Sequence, residues 1–461
     1  MSRSNTELKA GDKVSIQKPA DNGKFTDAGQ VLVKKELGRG AQGIVYQVEY
    51  EGKDYALKWY FYDNLKHPDA FRGNLEKNIK DGRPDNEDRF LWPQAITAAK
   101  QYPTFGYLMD LVPQGYIEFD KLYMGYEWKK PKEKGQPAVK ETYRFGSLDA
   151  LVTASINIVK AFRSLHGVGK SYQDLNGGGF FIDPVTGDVL VCDCDNVAPD
   201  GENFGIGGFP GYMAPEIVRG VAKPDVLTDR YSLAVVLFRL LLRADPLEGR
   251  KVLASVVLTE AKELEHYGSA PLFIFDPDDP ANRPLPGGNA AKFWPILPSY
   301  MREAFTRSFT AGIKDPNQRI IEKRWQEYLI RLRSDIIHCT CGKVTYSTCF
   351  DHHEHFICTC RSCGNKIYTL QIKDMLAPLY AGLKLYRCYT EDVEDFETIT
   401  GEVLPNKKDP RIYGIKNLST KTWKAKFPDG SVREIPPGGG APIWKGLVID
   451  FGDKIGARVL S

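Results

Sequence analysis

Gly38-Arg39-Gly40-Ala41-Gln42-Gly43-Ile44-Val45 is the stretch that most narrows what this chain can fold into. It is a complete G-x-G-x-x-G-x-V loop, and Ala56-Leu57-Lys58 follows at the distance of one hairpin. Glycines let a backbone fold over phosphates with its N–H groups aimed at them, which side chains would block. A lysine on the next strand then reaches phosphate oxygens. A dinucleotide fingerprint shares the glycine spacing but needs strand, loop and helix in that order. Here the run from Gln30 to Glu36 predicts a strand before the loop, and Val45, Tyr46, Val48 and Tyr50 predict another after it. The order strand–loop–strand excludes the dinucleotide reading and keeps the phosphate-cradling one.

Further landmarks follow in sequence order. They are Tyr172-Gln173-Asp174-Leu175, Asp193-Cys194-Asp195, Met213-Ala214-Pro215-Glu216, Asp229-Arg230-Tyr231-Ser232 at the head of an apolar run, and Arg319 after Asp315-Pro316-Asn317. With the glycine loop and Lys58 they are in register with the Hanks-type (eukaryotic-like) protein kinases, which the chain resembles from about Val31 to Leu332. The resemblance implies an α+β, bilobal protein-kinase fold. It makes Asp174 the catalytic aspartate, Lys58 the phosphate-holding lysine and Asp193 the Mg²⁺ (or Mn²⁺) ligand. ATP is then expected against Gly38, Gly40, Gly43, Val45, Ala56 and Lys58. Met109, Asp110 and Val112 would hold its adenine at the hinge. Asp229 is expected to brace the catalytic loop, and Arg319 to pair with Glu216. A helix carboxylate should orient Lys58. Glu76 is the choice, counted back from Phe90-Leu91-Trp92-Pro93, with Glu87 the runner-up.

The departures from the family pattern are specific. The metal-binding asparagine expected five residues after Asp174 is Gly179, within Gly177-Gly178-Gly179, leaving Asn176 or Asp195 as substitutes. The usual lysine two residues after the aspartate is Asn176, and Phe209 stands where a threonine is usual in Gly208-Phe209-Pro210-Gly211-Tyr212. Gln173 replaces the arginine that binds a phosphorylated activation loop, and no Ser or Thr lies between Asp193 and Met213. Those two absences agree, so loop phosphorylation is not the expected switch. Two readings remain open: a Ser/Thr protein kinase with an atypical site, regulated by partners, and a nucleotide-binding pseudokinase acting as a scaffold.

A chain of 461 residues is long enough for two to three domains. The expected division is a polar lead-in over 1–30, an N-lobe over 31–111, a C-lobe over 112–334, a zinc-ribbon module over 335–370 and a small β-rich domain over 371–461. Gln114 to Arg144, rich in lysine, reads as an irregular solvated insertion, and Pro271 to Pro286 as a surface loop. Leu148 to His166 carries apolar residues at helical spacing. Lys and Arg total 62 against 59 Asp and Glu, a net charge of +3 that calls for no nucleic-acid partner. Met1 to Phe25 is polar and the longest apolar run, Ser232 to Leu242, is too short to span a bilayer. A cytoplasmic protein with no membrane partner is expected.

Nine cysteines are present, and six lie between Cys339 and Cys363. Clustering of that kind suits metal binding in a reducing compartment. Cys360-Arg361-Ser362-Cys363-Gly364 is a C-x-x-C-G knuckle, and Cys339-Thr340-Cys341-Gly342 is a second thiolate turn. A structural Zn²⁺ is expected on Cys341, Cys360 and Cys363, with His338 or Cys339 as the fourth ligand. His352, His353 and His355 read as an exposed hairpin tip. Finally, Ser171 to Asn176, Phe273-Ile274-Phe275-Asp276-Pro277 and the cysteine-rich tail resemble a bacterial kinase subfamily of tellurite-resistance and stress gene sets. That resemblance implies a von Willebrand A-type protein and a metal-dependent phosphatase as partners, beside a protein substrate.

Overall fold

The computed structural model describes residues 7–84, 87–98, 101–129, 137–205, 207–255, 257–339, 341–346, 355–357, 366–373, 375–409, 412–452 and 454–460. It falls into two compact units, Met1–Ala290 with Phe305–Arg324, and Ala291–Ala304 with Trp325–Ser461.

The first unit begins with six strands in a closed antiparallel barrel: β1 (Lys13–Pro19), β2 (Phe25–Arg39), β3 (Gly43–Tyr50), β4 (Lys53–Tyr60), β5 (Ala95–Thr97) and β6 (Gly106–Asp110). Side chains alternate across a strand, so each barrel strand feeds two different cores. Leu57, Trp59 and Leu108 join Val14, Val31, Ile44 and Val48 in one. Ala56, Tyr60, Tyr107 and Met109 face the other, with Cys192 and the helix α1 (Pro68–Asp81). Proline opens α1, where its missing N–H costs nothing, and Gly82 ends it at φ 76°. Its buried residues Phe71, Asn74, Leu75 and Asn78 recur at i, i+3, i+4 and i+7, one face of a helix. Gly43 lies opposite Tyr60 across the β3–β4 pair, and a Cβ there would run into the carbonyl of Trp59.

The rest of this unit runs through β7 (Ile117–Glu118), α2 (Phe119–Met124), β8 (Tyr126–Lys129), β9 (Val139–Thr142), α3 (Leu148–Gly167), β10 (Lys170–Ser171), β11 (Phe180–Ile182), β12 (Val189–Val191), β13 (Ala198–Pro199), α4 (Pro215–Val218) and α5 (Val226–Leu242). Ser147 caps α3 by accepting from Ala150 N at 3.0 Å, and Asp225 with Thr228 forms a capping box on α5. Phe238 of α5 meets Phe273, Phe305 and Phe309 edge-on. A strand-rich barrel thus precedes a mainly helical part within the same unit.

Two expectations need correction. Gln114–Arg144 is not irregular throughout: it holds α2 and the β8–β9 hairpin, where Lys140 lies 4.1 Å from the Tyr126 ring centroid. Lys140 thus covers an aromatic face, whereas Lys129 pairs with Glu141; Lys130, Lys132 and Lys134 lie outside the described residues. Pro271–Pro286 is not all surface, because Phe273 and Ile274 are buried.

In the second unit, Asp335 accepts from Tyr300 Oη at 2.5 Å, and Arg333 stacks 3.9 Å over the Tyr386 ring and donates to the carbonyl of Phe396. Strands Ile336–His338 and Val344–Tyr346 pair with each other. Beyond them stand a larger antiparallel sheet through Lys366–Ile372, Trp423–Lys426 and Ile455–Leu460, and a four-stranded sheet of Lys384–Tyr386, Ile399–Pro405, Tyr413–Asn417 and Gly440–Pro442. Trp423, Phe451, Leu447 and Leu385 are among the residues of their shared core.

Candidate active site

Strand alternation puts Ala56, Lys58 and Tyr60 on one face of β4. The β4–β6 register sets Tyr107 opposite Lys58 and Met109 opposite Ala56. The D-C-D triplet follows β12 and meets that face. Lys58 Nζ donates to Asp193 Oδ1 at 2.8 Å and to both oxygens of Asp195, at 3.1 and 2.9 Å. Tyr60 Oη donates to Asp195 Oδ2 at 2.5 Å and Tyr107 Oη to Asp195 Oδ1 at 2.8 Å. Burial alone would pull the Lys58 ammonium down, but the charges of Asp193 and Asp195 outweigh it and hold its pKa well above the ordinary lysine value. Burial first, and the Asp195 charge second, push both tyrosines up.

The two aspartates differ sharply in surroundings. Asp193 takes the left-handed conformation, φ 48°, and its side chain is 38% exposed. Asp195 is 0% exposed. Each oxygen of Asp195 accepts two hydrogen bonds, filling the roughly four lone-pair sites of a carboxylate. Asp193 is thus open to a cation, whereas Asp195 has no lone pair left for one.

Glu76 is not brought to Lys58. Its carboxylate accepts from Arg72 Nε at 3.0 Å, and Glu87 accepts from Arg89 at 2.7 Å. Helix geometry explains the miss. At about 100° per residue, Glu76 is turned about 200° away from Asn74, and the face toward the triplet is the one carrying Asn74 and Asn78. Both amides donate to the carbonyl of Val197, at 2.8 and 2.7 Å.

In the loop after β10, Asp174 is held by Asn176, whose amide donates to its Oδ1 and its carbonyl at 3.0 Å each. Burial raises the Asp174 pKa, the Asn176 hydrogen bond pulls it back, and the Asp193 charge raises it again; the net direction is upward. Asn176 Oδ1 accepts from Gly178 N at 2.8 Å, so its oxygen is engaged within the loop. Gly179 has no room for an asparagine: an added Cβ would stand 2.7 Å from Tyr172 Oη, which donates to the carbonyl of Cys192 at 2.5 Å.

Asp229 accepts from Tyr172 N at 2.5 Å and Gln173 N at 3.0 Å, fixing the loop backbone where Gln173 takes φ 75°. His166 bridges Asp229, at 3.1 Å, and Glu322, at 2.9 Å, and Arg230 donates to Glu322 at 2.7 Å. Burial would lower the His166 pKa, but its two carboxylate partners outweigh that and raise it to about 9. Burial would likewise raise Glu322, and His166 and Arg230 overcome it, bringing it to about 2. Arg319 and Glu216 form a bidentate pair at 2.7 and 2.8 Å. Arg239 lies 3.9 Å from the Tyr212 ring centroid and pairs with the buried Asp245.

Gly38, near the end of β2, and Gly40, just after it, face open space. Val45 pairs with Lys58 across β3 and β4, and Asp110 ends β6 with Arg83 at 3.1 Å. Val112, like Val45, packs against the cluster holding Met109 and Ala56. Among the zinc candidates, Cys339 is buried and Cys341 exposed, while Cys360 and Cys363 lie outside the described residues. Among the described residues no group of three or more His, Cys, Asp or Glu is arranged to hold a metal ion.

The kinase domain of Mycobacterium tuberculosis PknI matches this chain at 18% identity, over 70% of this chain and 98% of that domain, with a TM-score of 0.41. A double mutant of the same domain matches at 19% identity, over 70% and 97%, with a TM-score of 0.42. No family model matches the sequence. No curated protein matches it.

Sequence reading missed Tyr60, Tyr107 and the His166–Glu322 pair. A signal for the first existed: Tyr60 stands two residues after Lys58 on a strand, hence on its face. Tyr107 becomes visible only once the β4–β6 register is known.

Proposed function

We propose that this chain is an ATP- and Mg²⁺-dependent protein kinase of atypical active site, transferring the γ-phosphate to Ser or Thr hydroxyls of a protein. The observation that carries this reading is the meeting of Lys58 and Asp193 at 2.8 Å, with Asp174 close enough for the Asp193 charge to raise its pKa. Lys58 would hold phosphate oxygens, Asp193 would hold Mg²⁺, and Asp174 would accept the substrate proton. When bound, the cation neutralises charge on the terminal phosphates. The half-exposed Asp193 fits one such ion. A second ion finds no ligand at Gly179 or Asp195.

A nucleotide-binding scaffold is the second reading. It is favoured by Tyr172 Oη standing where a side chain at position 179 would go. The deciding experiment is transfer from γ-labelled ATP with Mg²⁺ or Mn²⁺, with thermal shifts on the same samples. Label on protein that vanishes in Asp174→Ala is expected. ATP-dependent stabilisation without label, with partners present, would leave the scaffold.

Regulation other than by loop phosphorylation is supported by the absence of Ser and Thr between Asp193 and Met213, and the resemblance of the cysteine-rich tail supports a von Willebrand A-type protein and a metal-dependent phosphatase as its partners. No helix among the described residues is long and apolar enough to cross a membrane, and a cytoplasmic location belongs to the same proposal. A structural Zn²⁺ on Cys341, Cys360, Cys363 and Cys339 or His338 is supported by the tight turn in which Gly342 N donates to the Cys339 carbonyl at 2.8 Å.

A further inference from the structure

We propose that Asp195, seated between Tyr60 and Tyr107, is the positioning carboxylate of Lys58, in place of a glutamate on helix α1. The proposal deepens the kinase reading above and rests on it for the use made of Lys58.

The argument begins with donors and lone pairs. An ammonium has three N–H groups, and the three contacts of Lys58 Nζ are one to Asp193 and two to Asp195. Asp195 completes its own set with the hydroxyls of Tyr60 and Tyr107. All four groups come from elements whose mutual position is set by sheet register and by the turn after β12, so the cluster is held by backbone pairing.

Burial then decides which contact yields to a phosphate. Asp195 is 0% exposed, and taking Lys58 from it would strand an unpaired charge in the interior, which is strongly unfavourable. Asp193 is 38% exposed and can exchange one hydrogen bond for water or a cation. An arriving phosphate therefore displaces Asp193 from Lys58 and leaves the Asp195 contacts in place. The lysine keeps its direction through two N–H groups and offers the third.

Helix α1 has no part in that arrangement through Glu76, which faces Arg72. Its attachment is instead the pair of amides from Asn74 and Asn78 on the carbonyl of Val197, two residues beyond Asp195.

The test uses the full-length chain as wild type, Asp195→Asn, Tyr60→Phe and Glu76→Gln. Reductive methylation at one fixed pH, read by peptide mass spectrometry, reports how well Lys58 is held. Calorimetry with ADP·Mg²⁺ and with adenosine reports whether the held lysine serves the phosphates. Loss of hydrogen bonds to a charged group is expected to weaken ADP about tenfold in Asp195→Asn and leave adenosine within about twofold. Methylation of Lys58 should rise in the same variant, rise less in Tyr60→Phe, and match wild type in Glu76→Gln. Tyr60→Phe keeps the charge of Asp195 and so stands in should Asp195→Asn fail to fold. Unchanged methylation in both Asp195→Asn and Tyr60→Phe overturns the proposal, as does a Glu76→Gln variant that reproduces the ADP loss. If wild type binds neither ligand but the methylation pattern holds, the clamp stands and the kinase reading falls.

Discussion

Two buried carboxylates organise the two sides of the candidate site, and they do it differently. Asp229 reaches the loop at Tyr172–Asp174 through backbone N–H groups of Tyr172 and Gln173. Asp195 reaches only side chains: one ammonium and two phenols. A carboxylate that grips backbone works whatever side chains the loop carries, since every residue but proline offers an N–H. One that grips side chains works only when each partner is present and correctly faced. The first kind is readable from a single aspartate at the right spacing. The second is a conjunction of four residues from two strands and a turn.

That contrast can be broken first at its stronger end. Asp229→Ala would leave two buried N–H groups and the buried His166 without their acceptor, a loss on the order of 3–5 kcal/mol. Equilibrium denaturation should show a much lower midpoint or no folded state; a midpoint within error of wild type would mean the loop is held by something else.

The next effect is a pH dependence confined to one hub. The folded pKa of His166, about 9, lies above its ordinary 6.5. Its contribution is therefore full below about 6.5 and is lost as pH rises through about 9, a change of about 3 kcal/mol. Wild-type stability should fall over that window, and the slope should flatten in His166→Gln. The lysine and tyrosines around Asp195 are all displaced upward, so that cluster stays silent over the same range.

The smallest expected effect is on the side-chain hub. Tyr60→Phe removes one of four hydrogen bonds to Asp195 while keeping the ring in its aromatic contacts with Phe71 and Phe105. A cost of about 1–2 kcal/mol in thermal or chemical unfolding is expected. A cost as large as that of Asp229→Ala would erase the distinction between the two hubs.

The same contrast explains what the sequence disclosed. Motif spacing picks out Lys58, Asp174, Asp193, Glu216, Asp229 and Arg319, and the structure puts Lys58 against Asp193 and Arg319 against Glu216. Glu76 rests on counting back from Phe90-Leu91-Trp92-Pro93, which says nothing of which helix face turns inward; the buried amides of Asn74 and Asn78 decide that. Asp195 was seen only as a metal ligand, because nothing local reveals two tyrosines converging on it. The hairpin at β8 and β9 went unseen for a related reason. Its two aromatic residues, Tyr126 and Trp128, face Thr142 and Lys140 across the pair, so β9 carries no apolar alternation of its own.

The Tyr172 hydroxyl beside Gly179 has a consequence for how such a site can change over generations. Gly179→Asn by itself drives a side chain into an oxygen that is already bonded to the Cys192 carbonyl. Removing that oxygen first, as in Tyr172→Phe, opens the space, since the next ring atom stands 3.6 Å away, but it leaves a buried carbonyl without its donor until something replaces it. Placing a side chain at position 179 in two steps thus passes through a state in which the buried Cys192 carbonyl has lost its donor. A polar side chain at position 179 is therefore not one substitution away: the order of steps matters.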